Sequence, residues 1–105
     1  MSTALFTHPI CIEHNPGAGH PESPARLKSV MDALSTEEFE ALDRQEAPLS
    51  DIASIKAVHQ AELVDLVMEN IPETGQKFLD PDTALSPYSG DAALRAVGAC
   101  IAAVD

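Results

Sequence analysis

Apolar residues along this chain recur mostly at helical spacing, and only in short runs at the spacing of a strand. Ala4 to Thr7 is an apolar run that reads as a buried strand. Ile10 to Ile12 is expected to continue the extended path, although Pro9 prevents one uninterrupted central strand. Glu13 to Ser23 reads as loop, because it holds Pro16, Gly17, Gly19 and Pro21. A helix start follows, with Ser23 as N-cap and Pro24 at the first helical position, where no N–H is needed. Leu27, Val30, Met31 and Leu34 then form one apolar face, with Lys28 and Asp32 on the other side.

Ser35 and Glu38 have the spacing of a capping box, which predicts a short acidic helix through Phe39 and Leu42. Leu42 to Pro48 reads as a second short strand. Ser50 is the expected cap of a third helical stretch, with Ile52, Ile55 and Val58 turned inward. A fourth runs from about Gln60 to Asn70 and gathers Leu63, Val64, Val67 and Met68 on one face. Ile71 to Asp82 is expected to be loop, with Pro72, Gly75 and Pro81. Ser86-Pro87 or Ser89 then opens a last helix whose apolar face is Ala93, Ala96, Val97, Cys100, Ile101 and Val104. The pattern gives several amphipathic helices, one or two short strands and no internal repeat, so the helices lack a sheet to cover. The last helix also reaches Asp105 without a Gly, Asn or basic residue to close it, and an acidic residue there opposes the helix dipole. The expectation is that residues 1–105 are one incomplete domain whose C-terminal part is missing.

Composition narrows the classes of function. The 105 residues allow one small domain at most. Aromatic residues are 4% and hydrophobic residues 45%, mostly Ala, Leu, Val and Ile, which favours packing of small side chains. A net charge of −11 repels phosphate backbones, so direct nucleic-acid binding is not expected. The same field suits amines or lysine-bearing peptides, and it also serves plain solubility. Cys11 and Cys100 make no disulfide framework, and a reduced, cytoplasmic setting is expected. The N-terminal residues lack the basic region and apolar run of a signal peptide. No stretch approaches the ~18 apolar residues of a membrane span.

Chemistry-bearing residues are scattered. Cys11, His14 and His20 offer three zinc ligands from one loop, and Asp82 or Cys100 would complete the set only if the fold brought it near. The plainer reading is loop histidines bonded to backbone, so no metal site is assigned. Gly17 and Gly19 alone make no phosphate cradle, and no serine sits in a G-x-S-x-G turn, so no catalytic residue is assigned either. Glu37-Glu38 suits a solvated helix start. Asp80-Pro81-Asp82-Thr83 either turns a carboxylate toward a ligand or forms an Asx-turn. Arg26 lies in the first turn of a helix, where a cation opposes the dipole, so a carboxylate such as Glu22 or a buried anion should hold it unless it is simply exposed.

The string His20-Pro21-Glu22-x-Pro24-x-Arg26-Leu27 resembles the loop and first helix of the histone deacetylase-like amidohydrolases. That group includes acetoin-utilisation and acetylpolyamine deacetylases and class II histone deacetylases. The resemblance continues in order through Val58-His59-Gln60-Ala61-Glu62-Leu63, Asp82-Thr83-Ala84-Leu85-Ser86-Pro87 and Asp91 to Gly98. Tyr88 departs from it, since relatives commonly have Gly after Ser-Pro. The resemblance implies an α/β fold of arginase/deacetylase type, with three layers and a central parallel sheet. It implies zinc-dependent hydrolysis of an acetyl-amide on an acetylated amine or lysine, with a histidine pair as general base and acid. The metal ligands and the histidine pair belong to later parts of such domains, so this N-terminal portion would be inactive alone and hold no cofactor. By the same resemblance Arg26 lines an inner channel where released acetate sits, His20 and Glu22 shape its wall, and Asp82 stands at the substrate rim. Two rival readings remain: a short non-catalytic binding module built on the same fold, and a small zinc module on Cys11, His14 and His20.

Overall fold

The computed structural model describes residues 2–105. Strand β1 (Ala4–Thr7) pairs in parallel with β2 (Asp43–Glu46), Ala4 opposite Asp43 and Thr7 opposite Glu46. A parallel pair needs a long crossover, and here it carries helix α1 (Pro24–Ala33). Thr3 O accepts from Asp43 N at 2.9 Å and Thr7 O from Ala47 N at 2.8 Å. Alternation along a strand then turns the backbone groups of Ala4 and Phe6 to the opposite edge, where no strand lies among the described residues. The second strand was expected and is present. It is polar throughout, Asp-Arg-Gln-Glu, and exposed along its length.

Ile10 to Ile12 do not continue the strand. Pro9–Glu13 is a 3-10 helix, because Pro9 fixes φ near the helical value and His8 Nδ1 caps the turn by accepting from Ile10 N at 3.0 Å. Helix α1 starts as its sequence dictates: the Ser23 hydroxyl accepts from Arg26 N at 3.4 Å, with Pro24 in the first turn. The expected capping box at Ser35 does not form. Ser35 Oγ instead donates back to Met31 O at 2.7 Å, and only one 3-10 turn, Glu37–Phe39, follows. Helix α2 (Ile52–Lys56) is capped by Asp51, whose Oδ1 accepts from Ser54 N at 2.8 Å, rather than by Ser50. A carboxylate is the stronger acceptor for a helix N–H. Val58 lies past the end of α2 and is 81% exposed, not inward. Helix α3 (Ala61–Glu69) buries Val64, while Val67 and Met68 are half-buried and Leu63 is exposed.

The segment expected to be loop from Ile71 to Asp82 contains a strand. β3 (Lys77–Asp80) and β4 (Thr83–Leu85) form an antiparallel hairpin, with a register shift between Phe78 and Asp80. Its turn is the Asx-turn option: Asp82 N donates to Asp80 Oδ1 at 2.8 Å. That bond and one from Thr83 hold the Asp80 carboxyl below its ordinary pKa.

Helix α4 (Ser89–Val104) packs over β1 and the 3-10 turn after it. Its buried positions are Ser89, Gly90 and Gly98, whereas Ala93, Cys100, Ile101 and Val104 of the expected face are exposed. The reason is close backbone approach. A Cβ on Gly98 would lie 1.8 Å from Pro48 O. Arg95 Nη1 donates to Ala47 O at 2.8 Å and Ser50 N to Leu94 O at 3.1 Å, so this face is fastened to the chain leaving β2. The more apolar face is left open. The molecule is correspondingly spread out. Its radius of gyration is 15.1 Å, against about 13 Å for a compact chain of this length. Its surface is 7072 Å², against about 5,700 Å² for a compact monomer of 11.1 kDa.

Candidate functional site

Two glycines give the loop before α1 its shape. Gly17 at φ 116° and Gly19 at φ 81° occupy backbone conformations that side chains resist. They bring the chain round so that His20 faces the β3–β4 turn. His20 Nδ1 accepts from Glu22 N at 3.1 Å, which leaves the ring proton on Nε2, and Nε2 donates to Asp82 O at 2.8 Å. Glu22 Oε1 in turn accepts from Arg26 Nη2 at 3.3 Å. The four sequence-predicted residues Arg26, Glu22, His20 and Asp82 therefore form one continuous path. Asp82 joins it through its backbone carbonyl, and its carboxylate stays exposed. The Arg26–Glu22 pair is about half exposed on both sides, so it orients the guanidinium and adds little stability.

Arg26 borders a cavity of about 340 Å³ between α1, α3, β4 and α4. Leu27, Val67, Leu85 and Ala92 supply apolar walls, and Cys11, His14 and Ser89 share the lining with Arg26. A fork of guanidinium donors beside apolar walls suits a small ligand with one carboxylate end.

A further polar group, outside the residues expected from the sequence, ties this wall together. Ser86 and Ser89 are 2% and 6% exposed. Ser89 Oγ lies 2.6 Å from His14 Nδ1, and Asn15 N donates to Ser86 Oγ at 2.9 Å. The loop is thus bound at both ends to the segment from Asp82 to Ser89, by His14 and Asn15 at one end and His20 at the other. The signal in the sequence is the Ser86-x-x-Ser89 pair at the start of an apolar helix, where either serine suits a cap. Tyr88 between them has φ −104°, a conformation open to any residue, so this turn does not require a glycine.

Cys11, His14 and His20 do not gather. His14 and His20 are engaged on Ser89 and Asp82, and the described residues contain no group of three or more His, Cys, Asp or Glu able to hold a metal ion. Both cysteines are free thiols. No helix is long and apolar enough to cross a membrane among the described residues.

The family model of the histone deacetylase domain matches residues 20–105. Among solved structures, the chain is similar to the crystal structure of the HDA15 HD domain, with a TM-score of 0.79 and 24% identity. The match covers 95% of this chain and 30% of that chain, so the protein spans under a third of the length of the structure it matches. No curated protein matches the chain. The structural likeness establishes an arginase/deacetylase-type fold, of which the parallel β1–β2 pair and its flanking helices are a portion. On the family match over residues 20–105, this chain belongs to the histone deacetylase domain family, in its N-terminal portion.

Proposed function

We propose that this chain forms one wall at the acyl end of a deacetylase active site, acting on acetyl-amides of the acetyl-lysine or acetylpolyamine type. The observation that carries the reading is the path Arg26–Glu22–His20–Asp82 beside a cavity that Arg26 borders. The guanidinium supplies a two-pronged contact for an acetate leaving the reaction. The apolar walls offer a surface for its methyl end. Asp82, on the exposed turn, has a carboxylate free to accept from a substrate N–H, and the net charge of −11 draws cationic amines toward the site. Both thiols being free suits a reducing, cytoplasmic setting.

Zinc is the metal this family implies, and the described residues do not fit it: no set of ligands is gathered. On this reading the metal and the histidine general base and acid are held by polypeptide other than residues 2–105, and these residues contribute binding and orientation only. Hydrolysis of an acetyl-lysine peptide and of an acetylated diamine, with zinc supplied, tests the proposal. The 105-residue chain is expected to be inactive. A reading frame that runs past codon 105 into a Pro-Gly-His-His element and then an Asp-x-Asp-x-His-His element should encode an active enzyme. In that enzyme Arg26→Ala should lower kcat/KM about 10- to 100-fold. A stop codon directly after codon 105, or an extended enzyme indifferent to Arg26, refutes the reading.

A further inference from the structure

Ser86 and Ser89 are the buried polar residues of the core, and a hydroxyl in such a place must be bonded. Ser89 Oγ has three neighbours: Ser86 N at 2.7 Å, His14 Nδ1 at 2.6 Å and Ser86 Oγ at 3.1 Å. A hydroxyl has one proton and two lone pairs, so its capacity is filled. Ser86 N–H takes one lone pair, and the other two positions are divided between His14 and Ser86 Oγ. Ser86 Oγ is itself braced, accepting from Asn15 N at 2.9 Å, and it has one proton to give. If that proton goes to Glu13 O at 3.4 Å, Ser89 donates to Ser86 and His14 Nδ1–H donates to Ser89. If it goes to Ser89 Oγ, the Ser89 proton is freed for His14. His14 is therefore gripped by its Nδ1 edge, and its Nε2 has no hydrogen-bond partner among the described residues. The ring lines the same cavity as Arg26.

We infer that His14 is a second polar wall of the Arg26 cavity, there to contact a small carboxylate, and that Ser89, braced by Ser86, is the positioning residue that holds it. The inference rests on reading this cavity as the acyl end. Two proton arrangements fill the capacity of Ser89. In one the serine donates to Nδ1 and the imidazole carries its proton on Nε2. In the other Nδ1–H donates to the serine and Nε2 presents a lone pair. A carboxylate is bound by the first arrangement, or by the imidazolium, and repelled by the second. Its arrival therefore places a proton on Nε2 whichever arrangement the empty cavity holds.

The test is ¹⁵N NMR of the imidazole and guanidinium nitrogens of the chain during titration with sodium acetate, against sodium chloride at equal ionic strength. With acetate, His14 Nε2 and Arg26 Nε should shift together, and His59, which does not line this cavity, should stay still. Ser89→Ala should abolish the His14 response, and Ser89→Thr, which keeps the hydroxyl, should restore it. If Ser89→Ala loses its dispersed amide spectrum, the threonine variant decides, because it must both fold and respond. Arg26 moving without His14 overturns this inference and leaves the acyl-end reading standing. Neither moving overturns both. An equal response to chloride removes the carboxylate assignment, and a full response in folded Ser89→Ala removes the positioning role.

Discussion

Gly98→Ala tests whether backbone contact, rather than the apolar stripe, sets the seating of α4. The new Cβ would stand 1.8 Å from Pro48 O, 2.7 Å from Pro48 C and 3.2 Å from Ser50 N. These are main-chain atoms, so no side chain can swing aside, and α4 must withdraw from the chain that leaves β2. Overpacking of this kind costs about 1–3 kcal/mol. Withdrawal also strains the bonds from Arg95 to Ala47 O and from Ser50 N to Leu94 O, each worth about 1 kcal/mol. Against this, alanine in place of glycine in a helix gains about 1 kcal/mol. The net expectation is a loss of about 2–4 kcal/mol. Gly90→Ala on the same helix is the control. The nearest atoms to its Cβ would be in the side chains of Ile71 and Met68, at 3.4 Å, so the change should be neutral or slightly stabilising. Urea unfolding followed by far-UV circular dichroism compares the two variants with the parent. A Gly98→Ala protein as stable as the parent, or more so, refutes the argument.

The other predictions concern single contacts. His20→Ala removes the acceptor for Glu22 N–H and the donor to Asp82 O, so hydrogen exchange at the Glu22 amide should speed up, while an unchanged rate would show that the clasp does not form. The Asp80 carboxyl is held below its ordinary pKa by hydrogen bonds from Asp82 and Thr83, and that of Asp51 by those from Ser54. A lowered folded-state pKa favours folding above the ordinary carboxyl range, near pH 4. That contribution is lost as pH falls through the folded-state values, so the Asp80→Asn, Asp51→Asn double variant should lose less stability between pH 5 and pH 2 than the parent, as read by urea midpoints. The Lys28–Asp32 pair spans 2.7 Å with both side chains mostly exposed, and Asp32→Asn should change stability by under about 0.5 kcal/mol, a shift that thermal melting would resolve if it were larger.

Local determinants were the legible ones. Ser23 and Pro24 specify the start of α1 within two residues, and His20, Glu22 and Arg26 are close enough in sequence to meet through one loop and one helical turn. The strand at Asp43–Glu46 could be located, although its polar residues gave no alternation to fix which side faced inward. The β3–β4 hairpin was hidden because Pro72, Gly75 and Pro81 mark turns, while Lys77–Asp80 alone has neither length nor pattern. The seating of α4 depends on Pro48 and Ala47, some fifty positions away in sequence, and no periodicity within the helix encodes them. Asp82 stands out in the pattern as part of Asp80-Pro81-Asp82-Thr83, and only the family resemblance groups it with His20, Glu22 and Arg26. His14 with Ser86 and Ser89 was missed because the bonds that join them span more than seventy residues.

Both outer edges of the β1–β2 pair are unpaired among the described residues, but they differ in character. The outer edge of β2 is polar and exposed along all four residues, the composition that discourages further pairing. The outer edge of β1, with Ala4 and Phe6 and apolar neighbours, carries no such protection. Growth of this sheet is therefore one-directional. Two copies of the chain that met through their β1 edges would use up both in a single twofold-symmetric contact and leave only the guarded β2 edges outward. Self-association by this route would end at a pair, because the polar β2 edges left outward discourage a further step.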